Sequence, residues 1–344
     1  MRWASPIPFA RSEAKTIGHP VDIVFTVARC TSGRGAAQVT GKEWLEMDWV
    51  LLSLISAVGF TAMTIVQKRT LERHVNGAVV FNAVAALPQL GGAVVILALS
   101  PPDWSSAAVA IMLAAGVAQA TVWLLQGYAI NREKDISRIV PVLDSHPLLV
   151  LIIAIVALGE VLTPIKWIAV LMVIAGAIIA SWHQALPGER VRLNRSLFAV
   201  LGAAVAMAVV TVLFKIASAE LSIVQMVGLA WVVSAPIHLI IARVTHVGHE
   251  MRRVLGSGRA LRMVSVTQVA FVVAIFSGVA ALSLGPVSLA TAIMGTRPVM
   301  LLLWVVISGL SVGNALRGRP EQGGMGIKWA SASLVTVGVG VMAF

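Results

Sequence analysis

The chain has a single cysteine, Cys30, and a single tyrosine, Tyr128, among 344 residues. One thiol excludes an internal disulfide framework and any multi-cysteine metal site. Charge is scarce as well, with 12% of residues Asp, Glu, Lys or Arg against about 25% in an ordinary soluble domain. So little polar surface cannot clothe two globular domains, which is what the length alone would suggest. Aromatic residues make up 6% and are not interleaved with basic ones, so the stacking platforms that hold nucleic acid are missing. The net charge of +11 needs another explanation than a nucleic-acid partner.

What the chain has in excess is apolar: 58% of residues are hydrophobic and the mean hydropathy is +0.91. Ten apolar runs follow one another at 49–66, 77–99, 105–128, 136–158, 161–181, 197–217, 221–242, 263–284, 287–312 and 326–343. Each approaches or exceeds the length that crosses about 30 Å of hydrocarbon as a helix. Lipid offers no partner to an open strand edge, so spanning helices are expected. Residues 1–46 differ, with prolines, glycines and scattered charges and no run able to form a core. Met47 stands directly before the first run, which leaves two readings for that stretch: a disordered tail, or a misassigned start.

The basic residues lie between the runs. Seventeen of the 26 Lys and Arg fall after runs 1, 3, 5, 7 and 9, which by the positive-inside rule faces those loops to the cytoplasm. The two halves also echo each other. Thr64-Ile65-Val66-Gln67-Lys68 answers Thr211-Val212-Leu213-Phe214-Lys215, Pro88 answers Pro236, Ser137 and Pro147 answer Ser288 and Pro298, and Ile165-Lys166-Trp167 answers Ile327-Lys328-Trp329. The expected fold is therefore all-α integral membrane, ten transmembrane helices as an inverted repeat of two five-helix units, 47–183 and 196–344. Five is odd, so the second unit enters the membrane from the opposite side, a plan of secondary transporters.

The segment from Asp135-Ile136-Ser137-Arg138 through Pro141 and Pro147 to Leu158-Gly159-Glu160-Val161-Leu162-Thr163 and Ala175-Gly176-Ala177 resembles the C-terminal hairpin of the EamA domain of the drug/metabolite transporter superfamily. Leu284-Gly285-Pro286-Val287-Ser288 through Thr296-Arg297-Pro298 resembles the partner repeat, although Leu310-Ser311 stand where the first copy has Gly159-Glu160. The resemblance covers residues 48–344. It implies ten helices, a cycle between inward-open and outward-open states, and movement of small metabolites or drugs. It names no particular cargo.

Charge inside lipid is costly, so Arg297 demands a reason. Counted from Ser288 it lies about 14 Å deep, at the midplane. His146 is its counterpart in the other half, with Asp144 two residues earlier. In one reading Arg297 grips an anionic cargo group while Asp144 or His146 exchanges a proton. In the other, Asp144 and Arg297 neutralise each other and fix packing. Residues two apart on a helix diverge by about 200°, so Asp144 and His146 share a cavity only if the helix breaks. Pro141, Pro147 and Pro298 are the residues that could break these helices, freeing the carbonyls of Ser137, Leu143 and Met294. Gln119 and Gln126, one above the other on run 3 beside Trp123, lead the polar residues that could line a path; Gln67, Gln89, Gln225, His238 and Gln268 follow. Glu160 reads as serving its turn, and Lys68 and Lys215 as snorkelling to opposite surfaces.

No HExxH, GxSxG, paired aspartates on one helix face or phosphate-cradling glycine loop is found, which argues against an enzyme. The expected activity is secondary transport, as exporter or exchanger, in the plasma (inner) membrane. A flippase for a lipid-linked sugar or phosphate, or a non-transporting scaffold, are the alternatives. Expected partners are a small-molecule substrate and the lipid bilayer, with a homodimer compatible with the plan. No metal or cofactor is expected.

Overall fold

In the computed structural model of the chain the described residues are 41–132, 143, 146–182, 195–297, 299–301, 304, 330, 333–339 and 341. They form helices α1 (Gly41–Arg73), α2 (Ala78–Leu99), α3 (Ala107–Arg132), α4 (His146–Leu158), α5 (Pro164–Trp182), α6 (Arg195–Ala217), α7 (Ile223–Val244), α8 (Gly248–Gly256), α9 (Gly258–Leu284) and α10 (Val287–Met294), with a further helical stretch at 333–339. No strand occurs among the described residues. Six of these helices, α1, α2, α3, α6, α7 and α9, are long and apolar enough to cross a membrane. Their outward faces carry large apolar side chains such as Leu51, Val94, Val205 and Val269, the surface a lipid solvent requires.

Packing mixes the two halves of the sequence. α3 lies along α6 and α7, α2 along α7, and α4 between α6 and α10. Small residues permit the close approaches. A Cβ on Gly116 of α3 would stand 2.7 Å from the carbonyl oxygen of Ala230 in α7, and one on Gly59 of α1 would stand 2.9 Å from the Cβ of Ala274 in α9. Without a hydrophobic force between helices in lipid, such contacts hold the bundle through dispersion and short polar bonds. Ser56 supplies one of these bonds, donating to the Ala274 carbonyl at 2.8 Å.

The structure adds two features to the ten uninterrupted runs, the first at a proline named above. The ninth run is not continuous: α10 ends at Met294, Gly295 and Thr296 form a turn, and helix resumes at Arg297. The cause lies in the sequence, because a proline at 298 has no N–H for the Met294 carbonyl. Val299 and Met300 instead return their N–H groups to Thr296 at 2.9 and 3.2 Å. Next, α8 is an additional short helix after the seventh run; it buries Val254 against Val80, Phe81 and Val264 and leaves Arg252 and Arg253 exposed. The apolar face down and charged face out suit the bilayer surface. Finally, α4 is described from His146 onward; Pro141, Asp144 and Pro298 lie outside the described residues.

Candidate functional site

Pro147 is where the site begins. A proline there leaves the Leu143 carbonyl without its helical partner. The His146 ring takes that place, its Nδ1 donating to the Leu143 oxygen at 3.1 Å. That bond fixes the proton on Nδ1 and leaves Nε2 of the neutral ring as an acceptor. Across from it, Gly295 at the end of α10 packs on Pro147; an added Cβ would lie 2.8 Å from the proline Cγ. The start of α4 and the end of α10 thus meet, and His146 and Arg297 line one cavity.

That cavity, of about 710 Å³, is walled by α1, α3, α4, α6, α9 and α10, hence by both halves of the chain. Phe60, Trp123, Phe214 and Phe271 give it aromatic walls, and Gln119, His146, Thr211 and Arg297 its polar points. A smaller adjoining space of about 350 Å³ is lined by Gln126, Leu143, His146 and Arg297. Arg297 alone is charged among the described lining residues of the two. Its Nη2 donates to Thr64 Oγ1 at 3.2 Å, and its guanidinium lies 5.5 Å from the centroid of the Phe60 ring. Both contacts hold the fork in place. Gln119 is buried with its carbonyl oxygen unbonded, so it presents an acceptor to the same space. The site offers one fixed cation with acceptors beside it.

The α9–α10 link is tied by two residues whose part the sequence reading missed. Gly159 takes a φ of +65°, a conformation glycine adopts without strain, and turns the chain after α4. Glu160 then points away from its own hairpin. Its carboxylate accepts from the N–H of Val287 at 2.6 Å, the N–H of Ser288 at 3.2 Å and the Ser288 hydroxyl at 2.5 Å. These are the unsatisfied amides at the start of α10, where a negative charge is favoured. Lys215 does the converse for α9. Rather than snorkelling, its ammonium donates to the carbonyls of Leu282 and Gly285, both at 2.9 Å, where the last carbonyls of a helix favour a cation. Trp49 lies flat against Gly285, where an added Cβ would come within 2.7 Å of the indole. The α9–α10 link is therefore held by a lysine at one side and a glutamate at the other, both from outside it. The signal in the sequence was the loss of Gly159-Glu160 in the second hairpin; nothing in it named the partner 127 residues away.

Lys68 likewise stays local, 3.7 Å from Glu72 one turn on. Of the other glutamines, Gln225 closes a capping box with Ser222 at the start of α7, and Gln89, Gln268 and His238 gather in a separate space.

No curated protein matches the chain. A solved crystal structure of a protein, 16% identical, superposes with a TM-score of 0.61 over 85% of this chain and 95% of that one, and so shares the fold. Residues 47–182 match the EamA-like transporter family. This chain is a multi-pass membrane protein, and its residues 47–182, from α1 into α5, are similar to the EamA-like transporter family, as the hairpin motif implied.

Proposed function

We propose that the chain is a secondary transporter working by alternating access, with Arg297 gripping the anionic group of a small metabolite. The observation that carries this reading is the fixed guanidinium in the wall of an internal cavity lined by helices of both sequence halves. Two units, 47–183 and 196–344, enter the membrane in opposite senses and present that cavity to each side in turn. The pairing of α2 with α7 and of α4 with α10 supports this plan, since each pair joins helices at equivalent positions of the two units. The acceptors on Gln119 and His146 suit a cargo that carries N–H or O–H donors beside its anion, as an α-amino acid does. Asp144 or His146 exchanges the coupling proton. Export or exchange across the plasma membrane is the direction that fits the family.

The test is counterflow into proteoliposomes of a panel of labelled amino acids and organic anions. Arg297→Gln abolishes uptake while the protein still inserts; His146→Gln keeps uptake but flattens its dependence on a pH gradient. Undiminished flux in Arg297→Gln removes the arginine from the site. Extraction of lipid-linked sugar or phosphate in place of soluble cargo would favour a flippase.

A further inference from the structure

A second, smaller chamber lies beside the aromatic wall of the Arg297 cavity. It shares Trp123 and Phe271 with that cavity, and its own lining adds Asn82, Gln89, His238 and Gln268. Trp123 and Phe271 stand edge to face, with centroids 5.5 Å apart and planes at 85°. By position along their helices, Gln89 and Gln268 lie about 15 Å from the ends of α2 and α9 nearest the basic loops, well inside the membrane. Four amide and imidazole groups at that depth need an account, because each polar group in hydrocarbon is costly unless bonded.

Three of the four are bonded by protein. Asn82 Nδ2 donates to the Trp123 carbonyl at 3.2 Å, and Gln89 Nε2 donates to Gln268 Oε1 at 2.9 Å, joining α2 to α9. Structural bonding explains those. His238 is different: its exposure is 4%, and its Nε2 has no partner among the described residues. With its proton on Nδ1, the neutral ring presents Nε2 to the chamber as an acceptor. Helix packing gains nothing from a buried acceptor left empty. None of the chamber's lining residues carries a formal charge, so it has no counter-ion for an anion or an ammonium.

We infer that this chamber is a second cargo subsite, taking a neutral N–H or O–H donor at the far end of the molecule whose anionic end Arg297 holds. The cargo is then an anion with a flat or slender apolar body lying against Trp123 and Phe271 and an uncharged donor at its tip: an amide, a hydroxyl or a heteroaromatic N–H. Gln89 Oε1 and Gln268 Nε2 take no part in the mutual bond, and they flank that tip as acceptor and donor. This rests on the anion-gripping role of Arg297.

The probes are ω-hydroxyalkanoates of increasing chain length, each beside its ω-methyl ether, which keeps the oxygen as acceptor but has no donor. Binding to the purified protein by calorimetry and uptake by proteoliposomes are measured for both series. At one chain length the hydroxy acid is expected to exceed its ether by on the order of tenfold, since a polar group left unpaired in a buried site costs about that much or more. His238→Phe erases the difference, His238→Gln restores part of it through the amide oxygen, and Arg297→Gln weakens both series alike. Equal binding of hydroxy acid and ether at every length, with both still dependent on Arg297, overturns the subsite and leaves the anion site standing. Binding of neither series, or binding indifferent to Arg297, overturns both. A His238→Phe protein that elutes as a single species and still binds the ethers as the wild type does rules out misfolding as the cause of the lost preference.

Discussion

The two ends of the bundle are held by different physics. At the end that carries the α4–α5 hairpin, polar groups from one half cap the other: Glu160 on the amides of α10, Gln225 on the Pro101 carbonyl at 3.2 Å, and Glu220 accepting from Ser106. At the end that carries the basic loops, the described contact between halves is apolar, with Val254 of α8 and Val264 of α9 against Val80 and Phe81 of α2. A charge-assisted bond has a definite made and unmade state, whereas an apolar contact tolerates sliding. The hairpin end is the one tied by charge-assisted bonds. The sequence carries the same asymmetry, since the second hairpin has Leu310-Ser311 in the places of Gly159-Glu160 and so brings no glutamate to the other end.

This contrast can be broken from its strongest side first. Glu160→Ala removes the acceptor of three short bonds, a loss of about 3 kcal/mol, and shifts the closed population on the order of a hundredfold. The readout is a cysteine at Thr211, a residue that lines the Arg297 cavity, in a Cys30→Ser background. Its labelling by a membrane-impermeant maleimide from the hairpin side rises accordingly. Lys215→Met breaks the two bonds to Leu282 and Gly285 and raises the same labelling by about tenfold, because the carbonyls it leaves still have water at the boundary. Gly285→Ala drives a methyl into the Trp49 ring and lowers thermal stability by about 1–3 kcal/mol, partly recovered when Trp49→Ala is added. Val254→Asp, at the opposite end, undocks α8 and costs about as much stability, yet leaves the Thr211 labelling unchanged. Equal labelling effects from Val254→Asp and Glu160→Ala would erase the distinction between the ends.

How much of this could be read from residues alone follows from the range of the forces involved. The membrane spans were legible because apolar runs report a solvent, and each of the six long helices falls on one of them. The interruption of the ninth run was legible because Pro298 acts on its own neighbourhood. The bond from His146 to the Leu143 carbonyl was half legible: the freed carbonyl followed from Pro147, but not which group would take it. Glu160 and Lys215 were misread because a polar residue at a helix end has local uses enough to seem explained. Its real partner depends on which helix end the packing brings near. The same holds for α8, whose nine residues form a helix on a surface that α2 and α9 create.

The most direct test of the account is two-sided labelling of Thr211→Cys in oriented vesicles, with Glu160 intact and with Glu160→Ala. With Glu160 intact the thiol is shielded from the hairpin side and reacts from the basic side; with Glu160→Ala it reacts from the hairpin side and is shielded from the basic one. A thiol that reacts equally from both sides in either protein, or from neither, contradicts a pocket shown to two compartments in turn.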